Sequence, residues 1–326
     1  MKKILILFLI FAVSLASVFA GVMIGSVGVS FNDLIRAING EKSITSYILL
    51  KVRLPRTIGA YLGGAALALS GLLLQTYFRN PLAGPYVLGI SSAASLGVAL
   101  YILCGIGISY YGLVGSALIG SLMAMILVLM VASRIRSAVT LLILGLMFGY
   151  VFGALERILI TFAESEAVHQ FVLWTFGSFS GITLEDVPTI SFTIILAFFL
   201  AFLLAKPLNA LLMGEEYART MGVNVKIARV SIVFLSCFLA AIVTAFAGIV
   251  AFIGLATPHI TRLIFRTSDH KILIPGVILC GALTTVFCDI VSRTIAAPVE
   301  LPISVATSLF GAPIVMFLIL KRKRIG

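Results

Sequence analysis

Ionisable side chains are sparse in this 326-residue chain, with 12 Asp and Glu, 23 Lys and Arg and three histidines. Their spacing suits pairing and contact rather than catalysis. His169, His259 and His270 lie far apart in sequence, no HExxH or paired-acid motif occurs, and the phosphate-cradling GxxxxGK[ST] loop is absent. An enzyme is therefore disfavoured, and no nucleotide, metal or cofactor site is expected. Asp289 and Arg293 stand four apart and can pair along one helix face. Glu156 and Arg157 follow Gly153 by three and four residues, on about the same face, either as an interfacial anchor or as groups turned to a cavity or partner. Gly214 and Gly222 bracket Glu215, Glu216, Tyr217, Ala218 and Arg219, a helix-prone stretch too polar for lipid, readable as a solvated loop helix or as a contact element. Asn80 precedes Pro81, which ends a helix there. Leu82 to Pro85 then forms a compact turn, readable as an ordinary connection or as a functional corner.

The elements that position these groups are membrane spans. The chain is 61% apolar and only 11% charged, with a mean hydropathy of +1.20, whereas ordinary soluble domains carry about a quarter charged residues. Long apolar runs cover 4–24, 57–78, 86–106, 111–132, 141–162, 187–205, 230–250, 272–295 and 303–320, each near the roughly 20 residues that cross a hydrocarbon core. A shorter stretch, 251–265, contains Pro258. Basic residues cluster at both termini, Lys2 and Lys3 at one and Lys321 to Arg324 at the other. That pattern places both ends on the cytoplasmic side and demands an even count. Ten spans put 16 of the 23 basic residues on the inner side, among them Arg134, Arg136, Lys206 and Arg229. The chain is thus expected to be one all-α, multi-pass domain over 1–326 of the cell membrane, with 206–229 a long cytoplasmic segment. The first 20 residues also have the make-up of a cleavable signal peptide, but the even count argues for their retention.

A net charge of +11 is scattered over loops rather than gathered on one face with aromatics, which disfavours nucleic acid and favours anionic membrane lipid. The loop after the first span reads as a short surface helix ended by Asn39-Gly40. Lys51, Arg53 and Arg56 break the positive-inside pattern, as headgroup anchors or as an electrostatic dock for an acidic partner. Gly112, Ser116 and Gly120, like Gly145, Gly149 and Gly153, recur every four residues, which lets helix backbones approach closely. The acidic loop around Trp174 is expected to pack a short helix over the outer face, and Gly311 with Pro313 to break the last span. Cys104, Cys237, Cys280 and Cys288 fall inside spans and read as packing residues.

The run GAALALSGLLLQTYFRNPLAGPYVLGISS at 64–92 resembles the signature of the FecCD family of ABC importer permeases. The resemblance returns at Arg53 and Arg56 around Leu54-Pro55, at Trp174 with Gly177-Ser178, at 208–222, at Gly254-Leu255 with Pro258-His259, at 269–271, at Asp289 with Arg293, and at 300–313. It implies a type II importer permease of ten spans that dimerises around one pathway, with a second permease subunit expected to be an identical copy, two ATP-binding subunits below and an extracytoplasmic substrate-binding protein above. It further implies that Arg53, Arg56 and Arg293 dock the binding protein, that Gly214, Glu215, Glu216, Ala218, Arg219 and Gly222 seat in the ATPase, and that Asn80 and Leu82 form a gate. The fifth span, with Gly145, Gly149 and Gly153, would line the pathway together with the tenth. Its inner start, Ala138-Val139, departs from the polar start of the vitamin B12 permease. The implied cargo is a metal chelate: a ferric siderophore first, otherwise cobalamin, haem, or molybdate and tungstate. The competing class, an ion-coupled secondary transporter, needs midmembrane carboxylates, and the candidates here sit toward the outer ends.

Overall fold

Helices account for the fold, and no strand occurs among the described residues, which are 2–135 and 137–322 of a computed structural model. Arg136, Lys323 and Arg324, used in the charge count, lie outside them. Helix α1 is Lys2–Met23, α2 the surface helix Phe31–Ile38, and α3 the turn Ile44–Tyr47, which continues through a π-helical segment Ile48–Arg53 into α4, Leu54–Phe78. After a 3-10 turn, Pro85–Leu88, come α5 (Ile90–Leu103), α6 (Tyr110–Arg134), α7 (Ala138–Phe162), α8 (Ser165–Thr175) and α9 (Asp186–Leu203). The chain closes with α10 (Ala205–Met213), α11 (Glu215–Thr220), α12 (Val225–Ala247), α13 (Ile253–Phe265), α14 (His270–Thr294) and α15 (Ile303–Arg322).

Among the described residues, seven helices are long and apolar enough to span a membrane: α1, the 35-residue Ile44–Phe78 unit, α6, α7, α9, α12 and α14. Of the other three expected spans, α15 has 20 helical residues and the remaining two are shorter. The expected span at 86–106 is an irregular entry followed by only 14 helical residues, α5, and α13 has 13. In α15 the described apolar stretch is Ile303–Phe317. The second span also begins earlier than expected, because the π-helical segment carries the helix through Arg53 instead of starting it at Thr57.

Helix α4 is the axis of the bundle, buried along nearly its whole length. Glycines make that burial possible where backbones cross. A Cβ on Gly64 would lie 2.5 Å from the Gly281 carbonyl of α14, and one on Gly71 would overlap the Gly254 carbonyl of α13. Close crossings replace the hydrophobic drive that lipid does not supply. A Cβ on Gly254 would also stand 2.5 Å from Pro85 and 2.6 Å from the Leu67 carbonyl. Leu67 is 11 residues from the end of α4, about 16 Å along the axis. The irregular entry to α5 and the start of α13 therefore meet against the middle of α4.

An internal inverted repeat follows from this arrangement. A long helix, an irregular entry, a half-length helix and two further helices occur as α4 to α7 and again as α12 to α15. The half-helices enter through left-handed residues, Gly89 at φ 77° and Phe252 at φ 64°. Each entry packs on a glycine of its last helix: Leu88 on Gly145, and Phe252 on Gly311. Irregular backbone at this depth is tolerated because it is enclosed by protein.

We call the end of the bundle carrying α10 and α11 the inner end, and the opposite one, carrying α2 and α8, the outer end. Arg53 and Arg293 at the outer end donate to carbonyls of Gly21, Val22, Met23 and Val27, satisfying the last turn of α1. Since α15 starts beside Gly177 of the outer loop, with Ile303 N–H donating to the Gly177 carbonyl, Lys2 and the close of α15 share the inner end. Helix α2 carries the capping box Ser30/Asp33, and the Ser30 hydroxyl and amide hold the Asp33 carboxyl below its usual range. The outer loop holds α8 and closes on Ala247, whose carbonyl accepts from Ser178 N–H.

Candidate functional site

The inner end joins the polar segment to the corner after α4. Arg79 ends α4 in the left-handed region, φ 48°, and its guanidinium donates at 2.9 Å to the Leu211 carbonyl in the last turn of α10. A cation at a helix C-terminus answers both the unpaired carbonyl and the helix dipole. Next to it, the Asn80 side chain accepts from Leu82 N–H at 2.9 Å, an Asx turn that fixes the corner. The Pro81 carbonyl lies 2.8 Å from Nε2 of His259 on α13. Leu82 projects outward, 49% exposed.

A second linkage runs behind the first. The Asn209 Oδ1 of α10 accepts from the His270 amide at 2.9 Å and Nδ1 at 2.7 Å, and its Nδ2 donates to Asp269 at 2.7 Å. The His270 ring lies 2.8 Å from the Thr76 hydroxyl of α4. The Asn209 amide and the Lys271 backbone N–H hold the Asp269 carboxyl below its usual range. Helix α11 is tied down separately: Glu215 receives Arg229 of α12 at 3.1 Å, and Arg229 also donates to the Ile135 carbonyl in the connection between α6 and α7.

At the outer end a buried ion network crosses three elements. Arg56 of α4 donates from Nε to Asp289 at 2.9 Å and from Nη1 to both oxygens of Glu300 at 2.8 and 2.9 Å. Arg293 reaches the other oxygen of Asp289 at 3.4 Å. Arg53, Arg56, Asp289 and Arg293 are all 5% exposed or less.

Helix α7 is the least covered long helix after α1. Between it and the start of α5 runs a groove of about 300 Å³, lined by Tyr86, Gly89, Ser92, Gly149, Gly153 and Arg157 among others.

With this geometry in place, comparison with known proteins decides the family. The model of the FecCD transport family matches residues 9–321. The chain belongs to the FecCD transport family. Among relatives, the vitamin B12 import system permease protein BtuC of Salmonella typhi is 37% identical over 275 residues, covering 84% of each chain. The hemin transport system permease protein HmuU of Yersinia pestis is 36% identical over 283 residues, covering 85% of this chain and 84% of its own. A solved inward-facing conformation of a metal-chelate type ABC transporter superposes with a TM-score of 0.86 at 30% identity, over 97% of this chain and 99% of that one. The PsaBC structure from Streptococcus pneumoniae in complex with Fab, at TM-score 0.53 and 16% identity over 87% of this chain and 94% of that one, shares the fold alone.

In this FecCD chain the sequence-marked residues fall into separate groups. Arg53, Arg56 and Arg293 do come together at the outer end, buried and bonded within the chain, with Glu300 the partly exposed member of their network. The expected pairing of Asp289 with Arg293 is present, and Arg56 and Glu300 extend it. Ala218 is fully buried against the chain's own core, while Tyr217 and Met221 beside it are 48% and 61% exposed. Gly145 packs on Leu88, whereas nothing lies within 4 Å of a Cβ on Gly153. Val139 is 63% exposed and Ala138 packs partly on the core. Reasoning from sequence gave no role to Arg79, Thr76, Asn209, His270 or Arg229. The position of Arg79 just before Asn80-Pro81 was the available signal, since a helix that must stop leaves carbonyls and a side chain free to reach a neighbour.

Proposed function

We propose that this chain is the pathway-forming permease subunit of a binding-protein-dependent ABC importer, working as a dimer with a second copy, two ATP-binding subunits at the inner, cytoplasmic end and a substrate-binding protein outside. Its cargo is a bulky metal chelate, a ferric siderophore first, with cobalamin, haem, and molybdate or tungstate as alternatives. Residues 206–229 couple hydrolysis to the gate at Asn80 and Leu82, and α7 with α15 faces the pathway. The supporting observation is the bond from Arg79 to the Leu211 carbonyl, which makes the corner move with α10 and α11. A proton-relay reading loses support because Asp289, the carboxylate buried within a span, is held by two guanidiniums.

The test uses the exposed face of α11. Met221→Glu and Tyr217→Arg, in vesicles holding the assembled importer, should lower both transport and binding-protein-stimulated ATP hydrolysis at least about tenfold, a change of about 1.4 kcal/mol, while the purified chain keeps its parent unfolding temperature. Parent-level transport in both variants would remove the coupling role from this segment.

A further inference from the structure

The groove beside α7 holds a charge that the proposed coupling does not use. Arg157 lies 19 residues beyond the start of α7, about 28 Å along the helix, so it stands at the outer mouth of the groove. It is exposed, it has no ion-pair partner among the described residues, and no carboxylate lines the groove with it. The adjacent Glu156 is turned about 100° away by the helical step. Below Arg157 the wall is kept open by Gly153 and Gly149. A helix-interior glycine costs about 1 kcal/mol relative to alanine, and the close packing that justifies it at Gly145 does not exist at Gly153, where a Cβ would meet nothing within 4 Å. The hydroxyls of Ser92 and Tyr150 supply neutral hydrogen-bonding groups on the two walls.

We propose that Arg157 makes this groove an anion-attracting vestibule and sets the charge class of the cargo: a metal chelate bearing free negative charge, such as carboxylates, rather than a neutral one. The inference rests on the pathway reading of α7. An unpaired guanidinium beside low-dielectric walls raises the local concentration of anions and repels cations, and ionisable groups at membrane depth mark such paths.

The experiment reads the groove directly. A Ser92→Cys variant of the full chain in lipid vesicles, in a Cys104→Ser background that removes the exposed native thiol, is treated from the outer side with an anionic and a cationic methanethiosulfonate of similar size. Both should react, the anionic reagent faster than its reference rate on free cysteine predicts. Adding Arg157→Gln should lower the anionic-to-cationic rate ratio about tenfold, and Arg157→Lys should retain it. A ratio unmoved by Arg157→Gln overturns the proposal. So does a thiol unreactive to both reagents, the result expected if lipid or a second copy fills the groove. The measurement needs neither cargo nor ATPase, so its failure and failure of the coupling experiment on α11 are distinguishable.

Discussion

Replacing Asp289 with Asn tests what the outer ion network does. Asp289 is 1% exposed, accepts from Arg56 at 2.9 Å and is ion-paired with Arg293 at 3.4 Å. Asparagine keeps the shape and removes the charge, leaving two buried guanidiniums facing a neutral amide. Breaking one side of a buried pair costs about 3 to 5 kcal/mol, because the remaining charge loses its compensation. Arg56 keeps Glu300 at 2.8 Å, but that carboxylate is 43% exposed and water can replace it, so Glu300→Gln should cost only about 0 to 1 kcal/mol. The measurement is reversible unfolding of the purified chain in mixed micelles, for Asp289→Asn, Glu300→Gln and Asp289→Asn combined with Arg293→Met. The double variant should recover part of the loss, since removing both charges of a buried pair is often neutral. Recovery stays partial because Arg293 also donates to the Gly21 carbonyl. Equal costs for Asp289→Asn and Glu300→Gln, or a double variant worse than the sum of its parts, would refute this account.

Other expectations follow from single contacts. Ala218→Trp should lower the yield of folded chain, in contrast to Met221→Glu on the exposed side of α11; normal folding of Ala218→Trp would show that its pocket opens. Gly64→Val would drive a branched side chain into Thr285 and the Gly281 carbonyl, separating α4 from α14, and should abolish the stably folded chain in a detergent thermal-shift assay. The Asp269 carboxyl is held below its usual range, so it contributes stability above its unfolded pKa of about 3.9 that is lost as pH falls through the lower folded value. Unfolding curves between about pH 6 and about pH 2 should therefore show an acid-side loss that Asp269→Asn reduces.

The helical membrane class was legible because it rests on composition, and α10 and α11 were legible because polar residues stand between apolar runs. Hydropathy was blind to the split of 86–106 into an irregular entry and a half-helix. Tyr86, Val87 and Leu88 are as apolar as a helix needs, and only the packing of Pro85 on Gly254 and of Leu88 on Gly145 shows that they bend. The same averaging hid the repeat, since Gly89 and Phe252 occupy matching left-handed positions with unlike side chains. The arginines were legible in part. Charge counting grouped Arg53, Arg56 and Arg293 on one side, but one-dimensional reading cannot see that Asp289, Glu300 and the last carbonyls of α1 converge on them.

How a push on α11 would reach the middle of the membrane follows from which bonds are short and which elements are stiff. Helix α11 has six residues and cannot transmit force by itself, but Glu215 fixes its start to Arg229 of α12, and Gly214 joins it to α10. From α10 two connections reach α4, one from the Leu211 carbonyl to Arg79 and one from Asn209 through His270 to Thr76. They hold α4 at two points of its last turn, so that turn is tied to α10. The corner at Asn80 is tied in addition to α13, through His259 on the Pro81 carbonyl. Because α13 and the entry to α5 both begin against the same stretch of α4, a shift at the inner end is delivered to the two half-helices together. If Asn80 and Leu82 form the gate proposed above, these bonds would make it respond to the rigid movement of α10 rather than to local flexing at Leu82. Arg79→Gln, which keeps one donor but loses the charge and the fork, should thus weaken coupling more than Leu82→Ala. The ratio of cargo moved to ATP hydrolysed in reconstituted vesicles decides it, and a larger effect from Leu82→Ala would place the control at the turn itself.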